Sequence, residues 1–318
     1  MEEIIVATPL KGVEQPYQFS NSITVRAVEP ILWEQSIIKG FVSEHDRENL
    51  QKTKYWLCAG KQVEYPTQQS DELFELVHHA QSTTQIIYPF GGGNVFLKFH
   101  RTSQGYDNVG SWHPSRLHST LMGRIGAFEK QGFATDFETV YTGVRRAFDE
   151  KILRLQNPIL LLEHGQQIGN VPLSALFWVL GLDMLFMAGG SIDAFVDRIS
   201  GFLGPDSFIF PVTEIFQQQP FPRVKDVLGD LYVLRNKIAH GLEIPKLPYR
   251  KEYHLHDTYG AVITGENYLY LHLMQESALF ILCKSLRKIL VEGFVDDVKD
   301  DSKWKLRLKI GAKTHGSP

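Results

Sequence analysis

Short apolar runs separated by turn-forming residues make up roughly the first 110 residues of the chain. Four runs are rich in β-branched and aromatic side chains: SITVRAV (22–28), KYWLCAG (54–60), TTQIIYPF (83–90) and NVFLKFH (94–100). Glycine and proline residues lie between them, including a Gly91-Gly92-Gly93 triplet. Such runs, bounded by turn formers, are typical of strands. Residues 1–110 are therefore predicted to form a β-rich accessory or sensor domain.

From about residue 111 onward the apolar positions recur with a helical period. Residues 137–156 form a charged amphipathic pattern, which predicts one helix that ends before the Asn157-Pro158 breaker. The run from Val171 to Ala188 is apolar on all sides and predicts a buried helix. Ser191 can cap the next helix, and Gly204-Pro205 ends it.

Two further helices and a tail complete the pattern. Apolar residues repeat on one face from Pro222 to His240, and a long helix is predicted from about Gly265 to Phe294. The alternation from Lys303 to Ile310 predicts one more strand. The predicted fold class is thus α+β, with a β-rich domain over 1–110, an all-α helical bundle over 111–294 and a C-terminal tail over 295–318. The core of the bundle is expected at about 140–294.

The composition limits how the chain could bind nucleic acid. With 318 residues and 43% hydrophobic content, the chain can bury more than one core. Its formal net charge is only -3 and its pI is near 6.5. Affinity for a phosphate backbone comes from Lys and Arg contacts. Any nucleic-acid partner is therefore expected to be held locally.

Several features predict a soluble, cytoplasmic protein without a membrane partner. The N-terminus, MEEIIVATPL, lacks the basic-then-apolar pattern of a signal peptide. The apolar run 171–188 is short for a bilayer and contains Asp183. Cys58 and Cys283 lie among apolar neighbours without zinc-ligand spacing, which predicts buried, reduced thiols and no structural metal.

The peptide LYVLRNKIAHGLEI, residues 231–244, has the pattern with the most chemical content. Asn236 and His240 are four residues apart and share one helix face. Arg235 falls within about 50° of the centre of the apolar stripe, where an unpaired guanidinium is costly. Asp183, on the flank of the 171–188 helix, is its candidate partner. This spacing also fits a buried Arg–Asp pair that only pins two helices together.

His240 allows a catalytic interpretation. It occupies the C-terminal turn of its helix, where the helix dipole favours the imidazolium form. A histidine can transfer protons, while an arginine binds the scissile phosphate and the charge that develops on it. With the 2′-hydroxyl of RNA as nucleophile, Arg235, Asn236 and His240 would suffice for phosphodiester cleavage without a metal or cofactor. A histidine that ends a helix is also a common capping residue.

The segment Arg235-Asn236-Lys237-Ile238-Ala239-His240 resembles the signature of the HEPN family. The surrounding order is similar to that of its Apea-like group: an apolar helix with an acidic residue (177–186), a helix with DRISGFLG (197–204), the signature helix and a long closing helix (268–290). The resemblance covers about residues 140–294.

The resemblance implies a four-helix-type bundle, a homodimer formed through this domain and metal-independent endoribonuclease activity. Many such proteins act in toxin–antitoxin, anti-phage or abortive-infection systems, so an antitoxin or trigger protein is an expected partner beside RNA. Arg235 and His240 are implied to be catalytic, Asn236 to orient His240 or the phosphate, and Asp183 to fix Arg235. Arg235 and His240 point about 140° apart on a straight helix, so one compact site would take one residue from each subunit.

Five basic residues could flank an RNA path, although such groups are usually solvated helix faces. They are Lys237, Arg145, Arg146, Arg287 and Lys288. His254 and the adjacent pair His256-Asp257 could be read as metal ligands. No further ligand accompanies them in the sequence, so a loop is the preferred interpretation. The alternative to an enzyme is a non-catalytic HEPN-like dimerisation or interaction module in which the Arg–Asp pair is structural.

Overall fold

The computed structural model describes residues 2–10, 13, 15–19, 23–27, 53–63, 70–89, 96–112, 133–168, 170–187, 189–209, 223–242 and 268–314. The chain divides into two compact units. The first comprises Met1–Leu117 and Lys130–Thr142, and the second comprises His118–Glu129 and Gly143–Pro318.

Within the described residues, the first unit contains an antiparallel sheet with a helix inserted between two of its strands. Its strands are β1 (Glu2–Leu10), β2 (Tyr17–Gln18), β3 (Ile23–Ala27), β4 (Tyr55–Val63), β5 (Phe96–Thr102) and β6 (Gly105–Trp112), in the spatial order β2-β3-β4-β1-β5-β6. Helix α1 (Ser70–Ile87) follows β4. The β-rich N-terminal region predicted from the sequence is confirmed.

The core of this unit forms between one face of the sheet and two helical segments. Alternate side chains of the strands point to the same face, and those of β1 and β4 include Ile4, Val6 and Leu57, all at most 3% exposed. Val77 of α1 packs into the same cluster, as does Phe137 at the start of α2 (Phe133–Asp149).

The prediction of a strand over residues 83–90 is wrong, because Thr83 to Ile87 lie in α1. The hydroxyls of Thr83 and Thr84 donate hydrogen bonds to the carbonyls of His79 and Ala80, at 2.8 and 2.9 Å. Residues 81–86 are all buried. Burial and these i to i−4 bonds outweigh the β-propensity of threonine.

The second unit is helical throughout the residues that the structure describes. From Gly143 onward it contains the end of α2, then α3 (Leu153–Gln167), α4 (Val171–Phe186), α5 (Ile192–Leu203), α6 (Val224–Ala239), α7 (Tyr268–Val291), α8 (Val295–Lys299) and α9 (Asp301–Thr314). The α+β fold class with a helical C-terminal region is confirmed. Among the described helices, none combines the length and apolarity needed to cross a membrane.

Helix α4 packs against the helices α3, α5, α6 and α7. Asn170 caps its start, since its side chain accepts a hydrogen bond from the backbone N–H of Leu173 at 3.1 Å. The indole N–H of Trp178 donates to the carbonyl of Leu162 in α3 at 3.1 Å. A Cβ on Gly165 would come within 2.3 Å of that indole nitrogen, so the close approach of α3 and α4 needs glycine there.

Two predicted boundaries in this unit are wrong. Residues 137–156 do not form one helix, because α2 ends at Asp149 and α3 begins at Leu153. Lys151 has φ 52° and breaks the helix. Pro158 then lies inside α3. Because proline has no backbone N–H, α3 lacks one hydrogen bond at this position.

The strand predicted from Lys303 to Ile310 is instead part of α9. Its alternation places Trp304 and Leu308 four residues apart, and a helix buries both side chains, at 0% and 2% exposure. Leu306, between them, is 60% exposed. The four-residue spacing of Trp304 and Leu308 therefore fits the period of a strand as well as that of a helix.

Candidate functional site

Helix α6 carries three of the four candidate catalytic residues. Its apolar stripe is buried, with Val227, Leu228, Leu231 and Leu234 each at most 1% exposed. At its end, Gly241 has φ 64°, and the N–H groups of Gly241 and Leu242 bond to the carbonyls of Ile238 and Lys237. This Schellman arrangement ends the helix directly after His240.

The guanidinium of Arg235 contacts one side chain of α4 and one of α6. Its Nη2 lies 3.2 Å from Oδ2 of Asp183 in α4, and its Nη1 donates to Oδ1 of Asn236 at 2.7 Å. The guanidinium carbon is 5.7 Å from the centre of the Tyr232 ring. The predicted pairing of Arg235 with Asp183 is confirmed.

The pair is only partly solvated, since the side chains of Arg235 and Asp183 are 21% and 17% exposed. Nε of Arg235 and Oδ1 of Asp183 are buried, and neither finds a hydrogen-bond partner within the described parts of the chain. Asp183 also lies in the last turn of α4, where the helix dipole disfavours a negative charge. The carboxylate therefore depends on Arg235 for its stabilisation.

Asn236 and His240 occupy different environments. The side chain of Asn236 is bonded to Arg235 rather than turned toward His240. His240 is exposed and ends α6, with its backbone N–H bonded to the carbonyl of Asn236 at 3.1 Å. Arg235 faces α4 while His240 faces solvent at the end of the same helix. One copy of the chain thus gathers Asp183, Arg235 and Asn236, and within the described residues no hydrogen bond joins the exposed His240 side chain to this group.

Two of the five basic residues proposed for an RNA path, Arg145 and Arg146, pair with carboxylates in or next to α2 and α8. Arg146 bonds to Glu150 at 2.6 Å and also to Asp296. The Arg146 guanidinium holds the pKa of both carboxyls below its usual range, and their hydrogen bonds raise the pKa of Arg146. Arg145 lies 3.9 Å from Asp149. Both arginines have a structural use within the chain.

The other three lie on α6 and α7. Lys288 donates to the carbonyl of Phe202 at 2.7 Å, and its ammonium is 5.0 Å from the centre of that ring. It therefore satisfies one of the carbonyls at the end of α5. Lys237 and Arg287 are half-buried.

Two residues near the site carry no signal that the sequence patterns above detect. Arg198 of α5 donates to the carbonyls of Phe186 and Met187, and the indole N–H of Trp304 donates to the carbonyl of Leu185 at 2.7 Å. Both cap the end of α4, two to four residues beyond Asp183. Such long-range capping depends on the packing of helices that are distant in sequence.

The candidates His254, His256 and Asp257 are outside the described residues. Within the described residues, no three His, Cys, Asp or Glu side chains are grouped so that they could hold a metal ion. Cys58 and Cys283 are buried and are not joined in a disulfide, as predicted. Burial raises the pKa of the Cys58 thiol to about 12 and raises that of Cys283 as well.

Comparisons of the chain with protein-family models, with curated proteins and with solved structures found no match.

Proposed function

We propose that this protein is a metal-independent endoribonuclease of HEPN type. The proposal rests on one observation above the others: Arg235 is held by Asp183 at 3.2 Å, in a half-buried position, on the helix that ends at the exposed His240. A guanidinium fixed in this way is pre-organised to receive a phosphate. A histidine at a helix end is open to exchange protons.

The reaction proposed is an internal transfer at the RNA phosphate. The 2′-oxygen attacks phosphorus and loses its proton to a base, and the bond from phosphorus to the 5′-oxygen breaks. The leaving oxygen takes up a proton, so that the products are a 2′,3′-cyclic phosphate and a 5′-hydroxyl end. His240 is assigned proton transfer, and Arg235 is assigned stabilisation of charge on the phosphate oxygens.

A second copy of the chain is proposed to complete the site, since Arg235 and His240 point about 140° apart on α6. The outward face of α4 supports this. Leu173, Phe177, Leu180 and Met184 recur on that face at helical spacing, and Leu173 and Met184 are 41% and 46% exposed. Their apolar stripe runs up to Asp183. It would bury well against an identical stripe in a two-fold dimer.

The biological role that goes with this activity is proposed to be a toxin or anti-phage function, in the cytoplasm, restrained by an antitoxin or released by a trigger protein. The support for this role is the resemblance of residues 140–294 to the Apea-like HEPN group. Expression of the wild-type chain should then arrest growth of a bacterial host, while the His240→Ala variant should not.

The decisive experiment is RNA cleavage by purified protein in EDTA, with tRNA, rRNA and mRNA pools as substrates. Wild type is expected to cleave and to leave 2′,3′-cyclic ends, while Arg235→Ala and His240→Ala should lose at least about a hundredfold in rate. The chain offers matched controls in His164→Ala, an exposed histidine in the last turn of α3, and Arg223→Ala, an exposed arginine before α6. Equal loss in the controls, or cleavage that needs a metal, would overturn the proposal.

The competing function is a non-catalytic interaction module. One observation favours it: Asp183 and Asn236 already occupy Nη2 and Nη1 of Arg235. A purely structural arginine would be expected to use its donors in this way. A well-folded dimer that cleaves none of the RNA pools would favour the module.

A further inference from the structure

The last turn of α4 is held by side chains from two other helices. The final carbonyls of an α-helix have no partner within the helix. Here the indole N–H of Trp304 in α9 donates to Leu185 at 2.7 Å. Arg198 in α5 donates to Phe186 at 3.0 Å and to Met187. Met187 itself has φ 54°, so the chain leaves the helix at this point.

Trp304 is the more deeply placed of the two side chains. It is fully buried, and its ring lies edge-on to Phe202 at 5.5 Å and tilted against Phe186 at 6.3 Å. In the same helix, Nη2 of Arg307 lies 2.7 Å from Oδ2 of Asp297 in α8. The indole cannot change its direction without displacing these rings. Its hydrogen bond therefore fixes the Leu185 carbonyl in space.

The same turn of α4 carries Asp183, two residues before Leu185. Asp183 reaches Arg235 through one oxygen only, at 3.2 Å, while its other oxygen is buried without a partner in the described chain. A single bond of that length tolerates little movement of the turn before it is lost. The position of the Arg235 guanidinium thus depends on how firmly this turn is held.

We propose that Trp304 and Arg198 are positioning residues for the Arg235 site, acting through the last turn of α4 and the carboxylate of Asp183. This rests on the proposed function, and it makes α9 a part of the catalytic apparatus although α9 carries none of the candidate catalytic residues. Cleavage should then depend on the indole N–H of Trp304 and not only on the bulk of its ring.

The test compares two variants that each lose one indole hydrogen bond and keep an aromatic ring. Trp304→Phe removes the bond to Leu185, and the control Trp178→Phe removes the equivalent bond to Leu162 at 3.1 Å, which involves α3 and the middle of α4 rather than its last turn. Trp304→Phe should lower kcat about tenfold with KM nearly unchanged, whereas Trp178→Phe should leave kcat within about twofold. Equal losses in the two variants overturn the proposal.

A coupling measurement separates positioning from general damage to the fold. In an Asp183→Ala background the last turn of α4 no longer acts on Arg235, so Trp304→Phe should cause no further loss of kcat. The proposal is wrong if the two losses simply multiply. Arg198→Lys, which keeps a donor and the positive charge, should retain more activity than Arg198→Gln.

A spectroscopic readout does not depend on cleavage. Nε of Arg235 is buried, which shields its N–H from solvent, so this N–H should give an NMR signal that Arg235→Lys removes. Trp304→Phe should shift this signal or speed its exchange, and Trp178→Phe should not. If wild type fails to cleave RNA, the proposed function falls while this signal still decides the positioning role. An unchanged signal in Trp304→Phe refutes that role.

Discussion

Oδ2 of Asp183 and Nη2 of Arg235 lie 3.2 Å apart between α4 and α6, and each side chain keeps only about a fifth of its surface exposed. Charges withdrawn this far from water cost free energy unless each has its partner. Removing either residue alone therefore damages the fold as well as any reaction. A useful experiment has to separate these two effects.

Replacement of both partners together separates them. Asp183→Ala should lower the free energy of unfolding by about 1–3 kcal/mol, because it leaves Arg235 without its counter-ion. The double variant Asp183→Leu with Arg235→Met should recover most of this loss, since neither side chain needs a partner. Urea unfolding of wild type, Asp183→Ala and the double variant measures the difference.

Cleavage by the same variants then distinguishes the two functions. A nuclease should be inactive in the stable double variant, because Met cannot bind a phosphate. An interaction module should keep its dimerisation there. Full RNA cleavage by the double variant would falsify the catalytic assignment of Arg235.

Asn236 occupies a donor of Arg235 that an RNA phosphate would need. Asn236→Asp should strengthen that contact to a charge-assisted bond and also add a negative charge, so KM for RNA should rise about tenfold. Asn236→Ala frees Nη1 and should leave KM unchanged or lower. Steady-state kinetics on one defined RNA compares the two variants with wild type. If both Asn236 variants raise KM equally, the amide itself contacts RNA.

The sequence predicts the elements that carry the site better than it predicts those that surround it. The stripe along α6 and the acidic position in α4 sufficed to foresee the contact of Arg235 with Asp183, because an arginine on an apolar face needs a partner. Ser191 caps α5 as expected, through a hydrogen bond from the N–H of Ala194 at 3.3 Å. These features are local, or depend on one strong electrostatic requirement.

The errors come from patterns that two structures satisfy equally. Thr83 and Thr84 favour strands by propensity, yet they satisfy their hydroxyls inside α1. Trp304 and Leu308 suit a strand or a helix, and only packing against other helices decides between them. The capping of α4 by Arg198 and Trp304 is a tertiary contact of this kind, so no local pattern could reveal it.

Gly165 is predicted to be essential for the packing of α3 on α4. Gly165→Ala would place a methyl group 2.3 Å from Nε1 of Trp178, which is closer than any real contact. The strain should lower the free energy of unfolding by about 1–3 kcal/mol. In a Trp178→Phe background the obstructing indole nitrogen is gone, so the cost of Gly165→Ala should fall by more than half. Thermal or urea unfolding of the four proteins tests the cycle, and equal costs in both backgrounds would contradict it.

The ion pairs of Arg146 should make stability depend on pH. Arg146 lowers the pKa of Glu150 and Asp296, with Lys299 adding to the effect on Glu150. Their contribution is therefore present above the unfolded pKa values of about 4 and is lost as the pH falls through the lower folded values. Wild type should have a higher Tm than Asp296→Asn at pH 7, and this gap should narrow as the pH falls below the unfolded pKa of about 4. Glu75→Gln, exposed on α1, is the control, and a pH-independent gap would contradict the assignment.

Gly241 links the end of α6 to the exposure of His240. Its φ of 64° is unfavourable for residues with a Cβ, although none of the described residues beyond its chain neighbours places a heavy atom within 4 Å of the position that a Cβ would take. Gly241→Ala should therefore cost about 1 kcal/mol through backbone strain alone, while Gly241→Asn should cost less because asparagine accepts this conformation. If the helix end positions His240 for proton transfer, Gly241→Ala should also lower kcat, and Gly241→Asn should largely restore it. Measuring kcat and unfolding free energy for both variants tests this, and equal kcat in all three proteins would mean that the turn does not position His240.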